Sequence, residues 1–292
     1  MKRRKLSARR RVRTGTALFL CMGAFAGLLL WHLLTTRVPA VAQLFPALGT
    51  LVCFALPALL GLCVIDGNQT RLLPARALSP GQALWLSLTG VLAVCPMTLL
   101  ADVLSALAGR FAAPLASAAG GGESALLPLL LRSAVLAPLC EELFFRGYLQ
   151  GTLSRYGAVR ACVAAALLFA LAHGLSMNLL CYALLGLMLG ALTLRTGSVL
   201  APLLVHMAYN AALALLAACG LGALMTGLAP LSCLLRLIGC AGFAYALRRA
   251  FAARGTRMAP DGALRVDMQA LLCMLAAVLA VAAAQLIAEV LS

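Results

Sequence analysis

The stretch SALLPLLLRSAVLAPLCEELFFRGYLQ, residues 124–150, decides what kind of protein this is. Up to Leu139 it is apolar enough for a lipid bilayer, with Arg132 the one charge. Then Glu141, Glu142 and Arg146 follow in quick succession. On insertion scales each such charge at the membrane centre costs about 2.5–3.5 kcal/mol. A chain that places three of them there either offsets the cost inside a protein interior or needs the groups for chemistry.

Composition makes the membrane setting firm. The chain has 292 residues, 64% of them hydrophobic and 11% charged, with a mean hydropathy of +1.03. A water-soluble domain of this size could not hide so much apolar surface. Repeated uncharged runs of about 20 residues are instead the pattern of transmembrane helices. The runs are continuous and rich in Ala and Leu, which excludes the alternating pattern of a membrane barrel. The expected fold class is therefore all-α, a polytopic transmembrane helical bundle. Apolar runs at about 17–34, 43–65, 83–108, 125–150, 158–174, 176–194, 198–218, 229–247 and 268–290 predict nine spans, or eight if one run is misread.

The net charge of +15 would suggest a nucleic-acid partner in a soluble protein. Here the basic residues follow the positive-inside pattern instead. With the N-terminus cytoplasmic, one side of the membrane collects the eight basic residues of MKRRKLSARRRVR, then Arg71, Arg76, Arg155, Arg160 and Arg195. The same side takes Arg248, Arg249, Arg254, Arg257 and Arg265, whereas the other side holds only Arg37 and Arg110. No nucleic-acid partner is expected; lipids and a hydrophobic or lipidated peptide or protein are. The localisation expected is a multi-pass protein of a bacterial cell membrane.

A signal peptide cleaved near Ala40-Val41-Ala42 is the alternative reading of the first run, but its length favours a retained helix. The 11 cysteines lie singly within apolar runs, with no CxxC pair, and read as small buried hydrophobes. Glycines mark joints at AAGGGES (118–124) and CGLGALMTGLAP (219–230). Gly186 and Gly190 form a GxxxG that predicts close helix packing, not chemistry. The chain divides into a basic tail (1–16), N-terminal helices and loops (17–124), a core (125–218) and C-terminal helices (219–292).

The eight acids and three histidines are few enough to sort individually. Asp66, Asp261 and Asp267 fall in cytoplasmic loops, Glu123 in an outer loop and Glu289 near the C-terminus. Asp102 reads as a solvated or hydrogen-bonded helix end, and His32 as interfacial. There remain Glu141 and Glu142, His173, and His206 with Asn210. Glu142 and Arg146 are four apart and pair on one helical face. Glu141 points about 100° away from Glu142. It lacks that local cation, which suits a general base better than a salt-bridged carboxylate does. Phe169 and His173 share the four-residue spacing, so the ring can pack behind the imidazole; His206 and Asn210 share it too. Each feature alone has a structural reading: a helix clamp, a packing histidine, a bridging asparagine. Their concentration in one nearly uncharged third of the chain favours a site.

In order, EELFFR (141–146) fits EExxxR, FALAH (169–173) fits FxxxH and HMAYN (206–210) fits HxxxN. In these motifs, over about residues 125–218, the chain resembles the CPBP intramembrane proteases, also called the Abi family, which include the type II CAAX prenyl endopeptidases. The resemblance implies antiparallel helices enclosing a wet intramembrane cavity. It implies that Glu141 and His173 activate a water, that His206 and Asn210 stabilise the oxyanion, and that Glu142 and Arg146 fix the motif helix. A zinc bound by Glu141, His173 and His206 is the alternative to a metal-free glutamate mechanism, which the lack of an HExxH pair favours. A non-catalytic scaffold or bacteriocin-immunity protein of the same fold is the second functional reading. A transporter is the third, disfavoured because no paired halves appear. One tension follows from the span count: a fifth span running outward would carry His173 to the outer surface, away from a mid-depth Glu141.

Overall fold

The computed structural model describes residues 2–38, 40–41, 47–65, 76–108, 126–174, 176 and 178–252, excepting the side chains of 2–14, 36, 63–65, 108 and 155. The expected ninth span, the loop 118–124 and the acids Asp66, Glu123, Asp261, Asp267 and Glu289 lie outside them. Among the described residues there is no β-strand. The helices are α1 (Lys2–Arg37), α2 (48–65), α3 (Pro80–Ala108), α4 (126–153), α5 (Ala158–Ala172), α6 (Leu179–Thr196), α7 (Leu200–Ala218) and α8 (Pro230–Ala252). Stretches within α1, α3, α6, α7 and α8 are long and apolar enough to cross a membrane. Two apolar helices are shorter, Leu48–Leu62 and Ala158–Ala172.

The chain forms two compact units. The first comprises Met1–Pro74, Cys140–Gly174 and Met258–Ser292; the second comprises Ala75–Leu139 and Leu175–Arg257. Within the first unit α1 meets α2 where Gly49 lies under the Trp31 indole, close enough that an added Cβ would fall 2.5 Å from Nε1. Helix α2 meets the C-terminal part of α4 the same way. There Gly61 seats the fully buried Tyr148 ring, leaving no room for even a methyl group. Close approach through small residues is how helices associate where lipid supplies no hydrophobic drive. An aromatic cluster fills the space beside these contacts. Phe54 of α2 lies 5.9 Å from Phe144 and 5.5 Å from Phe145, and Phe145 meets Phe169 of α5 edge-on at 5.4 Å.

In the second unit α3 and α8 run antiparallel. Trp85 pairs with Tyr245, Cys95 faces Gly239, and Asp102 bonds Arg236, so ascending positions on one helix meet descending positions on the other. Gly186 and Gly190 of α6 are both buried, in keeping with the packing expected of their motif. The cysteines among the described residues are free thiols, most of them buried.

Asp102 is hydrogen-bonded as one reading expected, but it lies within α3, which continues to Ala108, and its partner is 134 residues away. Its Oδ2 accepts from Arg236 Nη1 at 2.6 Å, and the Arg236 side chain is fully buried. The same guanidinium also donates to the carbonyls of Met225 and Gly227, and the single Ser232 hydroxyl hydrogen is shared between those of Leu224 and Thr226. Together they tie the 219–230 connection onto α8. Asp102→Asn is expected to cost about 1.5–3 kcal/mol, the range for a hydrogen bond to a charged group. Thermal unfolding in detergent, with proteolysis of the 222–227 turn as second readout, checks this; an unchanged midpoint and an uncut turn would count against the clamp.

Candidate active site

Helix α4 delivers the acidic pair. Through Ala137–Glu142 its backbone is α-helical, so Glu141 and Glu142 diverge by about 100° as the spacing predicts. From Leu143 to Leu149 the turns widen to i→i+5 hydrogen bonding. Leu51–Ala55, Leu60–Ile65 and Leu130–Leu136 have the same widened turns, so these alone do not mark a site. The pairing survives them: Arg146 Nη1 donates to Glu142 Oε1 at 2.9 Å, with both side chains essentially inaccessible to solvent. The face of Phe169 carries the guanidinium, its carbon 4.4 Å above the ring centroid. A buried charge pair needs both a partner and further contacts to offset desolvation, and this one has a carboxylate on one side and an aromatic face on another.

Helix α5 delivers the histidine. Its 15 residues rise about 22 Å, short of a hydrocarbon core of roughly 30 Å. The helix closes at His173, whose N–H bonds to the Ala170 carbonyl, and Gly174 then turns at φ +90° and is buried. Only glycine takes that conformation without strain. The helix thus ends with the apolar run 158–174 predicted for it.

The His173 ring packs on Phe169 at a centroid distance of 4.6 Å, the contact expected from their spacing. Its Nδ1 lies 2.8 Å from the Phe169 carbonyl oxygen. That oxygen can only accept, so in a neutral imidazole the hydrogen sits on Nδ1 and Nε2 presents a lone pair. Nε2 faces Glu141 Oε2 at 3.9 Å. The gap is too long for a direct hydrogen bond. Two acceptors therefore converge on one small space, with His173 about one-quarter exposed and Glu141 about one-tenth.

His206 and Asn210 belong to the second unit, on α7. His206 is buried, and Asn210 Nδ2 donates to the Ser133 carbonyl of α4 at 2.8 Å. That bond uses one of the two hydrogens of the amide. The bridging role weighed for Asn210 is thus present, and it leaves the second N–H. Among the described residues, no three His, Cys, Asp or Glu side chains within either unit stand together as a metal-holding group. Nothing in the motifs signals Phe54, which reaches the Phe144–Phe145–Phe169 cluster from α2, nor Ser133 as the acceptor for Asn210.

Residues 123–212 match the family model of the type II CAAX prenyl endopeptidase Rce1-like proteins, a stretch that contains all three motifs. No curated protein and no solved structure matches the chain significantly. The matched family is one of proteases, which supports a hydrolase at that coarse level, and together with the long apolar helices it marks an integral membrane protein. Through residues 123–212 the chain is related to the CPBP, or Abi, family of intramembrane proteases.

Proposed function

We propose that this protein is an intramembrane endopeptidase that hydrolyses a peptide bond in a hydrophobic or lipidated, membrane-associated peptide or protein. The observation that carries the reading is the facing pair of Glu141 Oε2 and His173 Nε2, 3.9 Å apart, beside a Glu142 already neutralised by Arg146. Two convergent acceptors call for one donor with two hydrogens, and a water fits that description.

In the proposed reaction Glu141 takes a proton from the water as its oxygen attacks the carbonyl carbon, with His173 orienting it. The carbonyl becomes a tetrahedral oxyanion. By motif order alone, His206 and Asn210 are assigned the N–H groups that hold this charge. The intermediate collapses by breaking the C–N bond, and the proton on Glu141 passes to the departing amine. Nine crossings with a cytoplasmic N-terminus, in a bacterial cell membrane, are the topology proposed with this chemistry.

The test is cleavage of quenched hydrophobic and farnesylated peptides by the purified protein in detergent. Glu141→Ala is expected to lose about 10²–10⁴-fold in rate, the usual range for a general base. Glu142→Ala should retain activity in proportion to the protein that remains folded. A chelator is expected to leave the wild-type rate unchanged. Full cleavage by Glu141→Ala would sink the assignment.

A further inference from the structure

The basic end of the α3–α8 pair holds a cleft of about 770 Å³, lined among others by Ser79, Gln82, Trp85, Tyr245, Arg248 and Arg249. Donors predominate among its polar groups. Ser79 and Gln82 cap α3 reciprocally: Ser79 N–H donates to Gln82 Oε1 at 2.9 Å, and Gln82 N–H donates to Ser79 Oγ at 3.3 Å. Each side chain has thereby received a backbone hydrogen, and the serine O–H and glutamine NH₂ are left as donors. Arg248 and Arg249 add two guanidinium groups, which only donate.

No carboxylate lines the cleft. Among the described residues of this unit the one acid is Asp102, and Arg236 holds it. Arginines at a helix C-terminus can be simply solvated charges that complement the dipole. Arg249 is held more firmly than that. Its guanidinium carbon lies 5.1 Å from the centroid of Trp85, a residue of the other helix. The stacked face leaves the N–H edges of a planar fork for oxygens, the geometry that suits phosphate.

Position selects the kind of phosphate. The cleft lies where two membrane-length helices end, near Pro80 and Ala252. Trp85 and Tyr245 meet there edge to face at 5.5 Å. Indole and phenol rings favour the headgroup level of a bilayer. We propose that this cleft binds the phosphate of an anionic phospholipid headgroup, with Arg248 and Arg249 as its ligands and Trp85 and Tyr245 as its floor.

The chain has two tryptophans, so Trp31→Phe leaves Trp85 as the sole indole and a reporter within the cleft. Brominated phosphatidylglycerol and brominated phosphatidylcholine are compared as quenchers of its fluorescence in mixed micelles. The phosphatidylglycerol is expected to quench at a lower mole fraction. Arg248→Gln/Arg249→Gln should weaken that preference about 25-fold, about fivefold for each basic group removed at a membrane surface. The unsubstituted protein provides a second measurement: phosphatidylglycerol should raise its thermal midpoint above that in phosphatidylcholine, and the double arginine variant should lose the increment. Equal quenching by the two lipids, or an unaltered preference in the double variant, would overturn the proposal. Displacement of the lipid by glycerol phosphate at matched concentration would also overturn it, identifying a site for free phosphate instead.

Discussion

Arg146→Met is expected to destabilise the protein by about 3–5 kcal/mol, the range seen when one partner of a buried ion pair is removed. The loss comes less from the missing bond than from what it leaves behind. Glu142 is essentially inaccessible, and Arg146 Nη1 is 2.9 Å from its Oε1. Without the guanidinium, that carboxylate must stay charged in a poorly solvated place or take up a proton. The Phe169 face, now covered by the arginine at 4.4 Å, would also lose its cation. Because Phe169 packs directly on His173, disorder there should reach the proposed catalytic imidazole.

The double variant Glu142→Leu/Arg146→Met separates these effects. Removing both charges leaves no orphaned carboxylate, so it should recover most of the stability, as apolar replacements of buried pairs often do. Arg146→Lys should fall between, because an ammonium keeps the charge but cannot stack as a planar group. The measurement is thermal or denaturant unfolding in a fixed detergent, read as a double-mutant cycle. Additive losses would mean that the pair contributes nothing as a pair, and that its role in fixing the motif helix is wrong.

The parts of the site that were legible in the sequence are those set by neighbours along one helix. Glu142 with Arg146, and Phe169 with His173, are each four residues apart, and each pair makes the contact that spacing predicts. The local argument holds for Glu142–Arg146 even though the turns from Leu143 onward are wider than an α-helix. What the sequence hides is which featureless Ala/Leu face meets which. Phe54 and Phe145 come from different helices, and so do Asp102 and Arg236, and no periodicity in such uniformly apolar runs distinguishes one face from another. The end of α5 was legible as well, since the apolar run 158–174 stops where the helix does, at the turn through Gly174. The GxxxG of α6 was visible as a motif, whereas the close approaches at Gly61 and Gly90 involve single glycines, which carry no signature.

Gly90→Ala tests one of those approaches. An added Cβ at Gly90 would fall 2.2 Å from the Val205 carbonyl oxygen and 2.8 Å from the Ala208 Cβ. The first of these is backbone, so no rotamer change can relieve it, and α7 must move away from α3. Overpacking of this kind costs about 1–3 kcal/mol. The functional effect should exceed the stability effect, because the displaced segment lies directly beside His206. If His206 and Asn210 hold the oxyanion, a shift of about 1 Å is enough to lower the rate about 100-fold. Most of that loss should appear in kcat, since these donors act on charge that develops in the transition state. Gly81→Ala, on the same helix with open space around its Cβ, should leave activity intact. The comparison is made well below the unfolding midpoint of each variant. A Gly90→Ala protein with its melting point lowered and kcat untouched would show that the position of α7 does not govern the chemistry, and would remove His206 and Asn210 from the proposed mechanism.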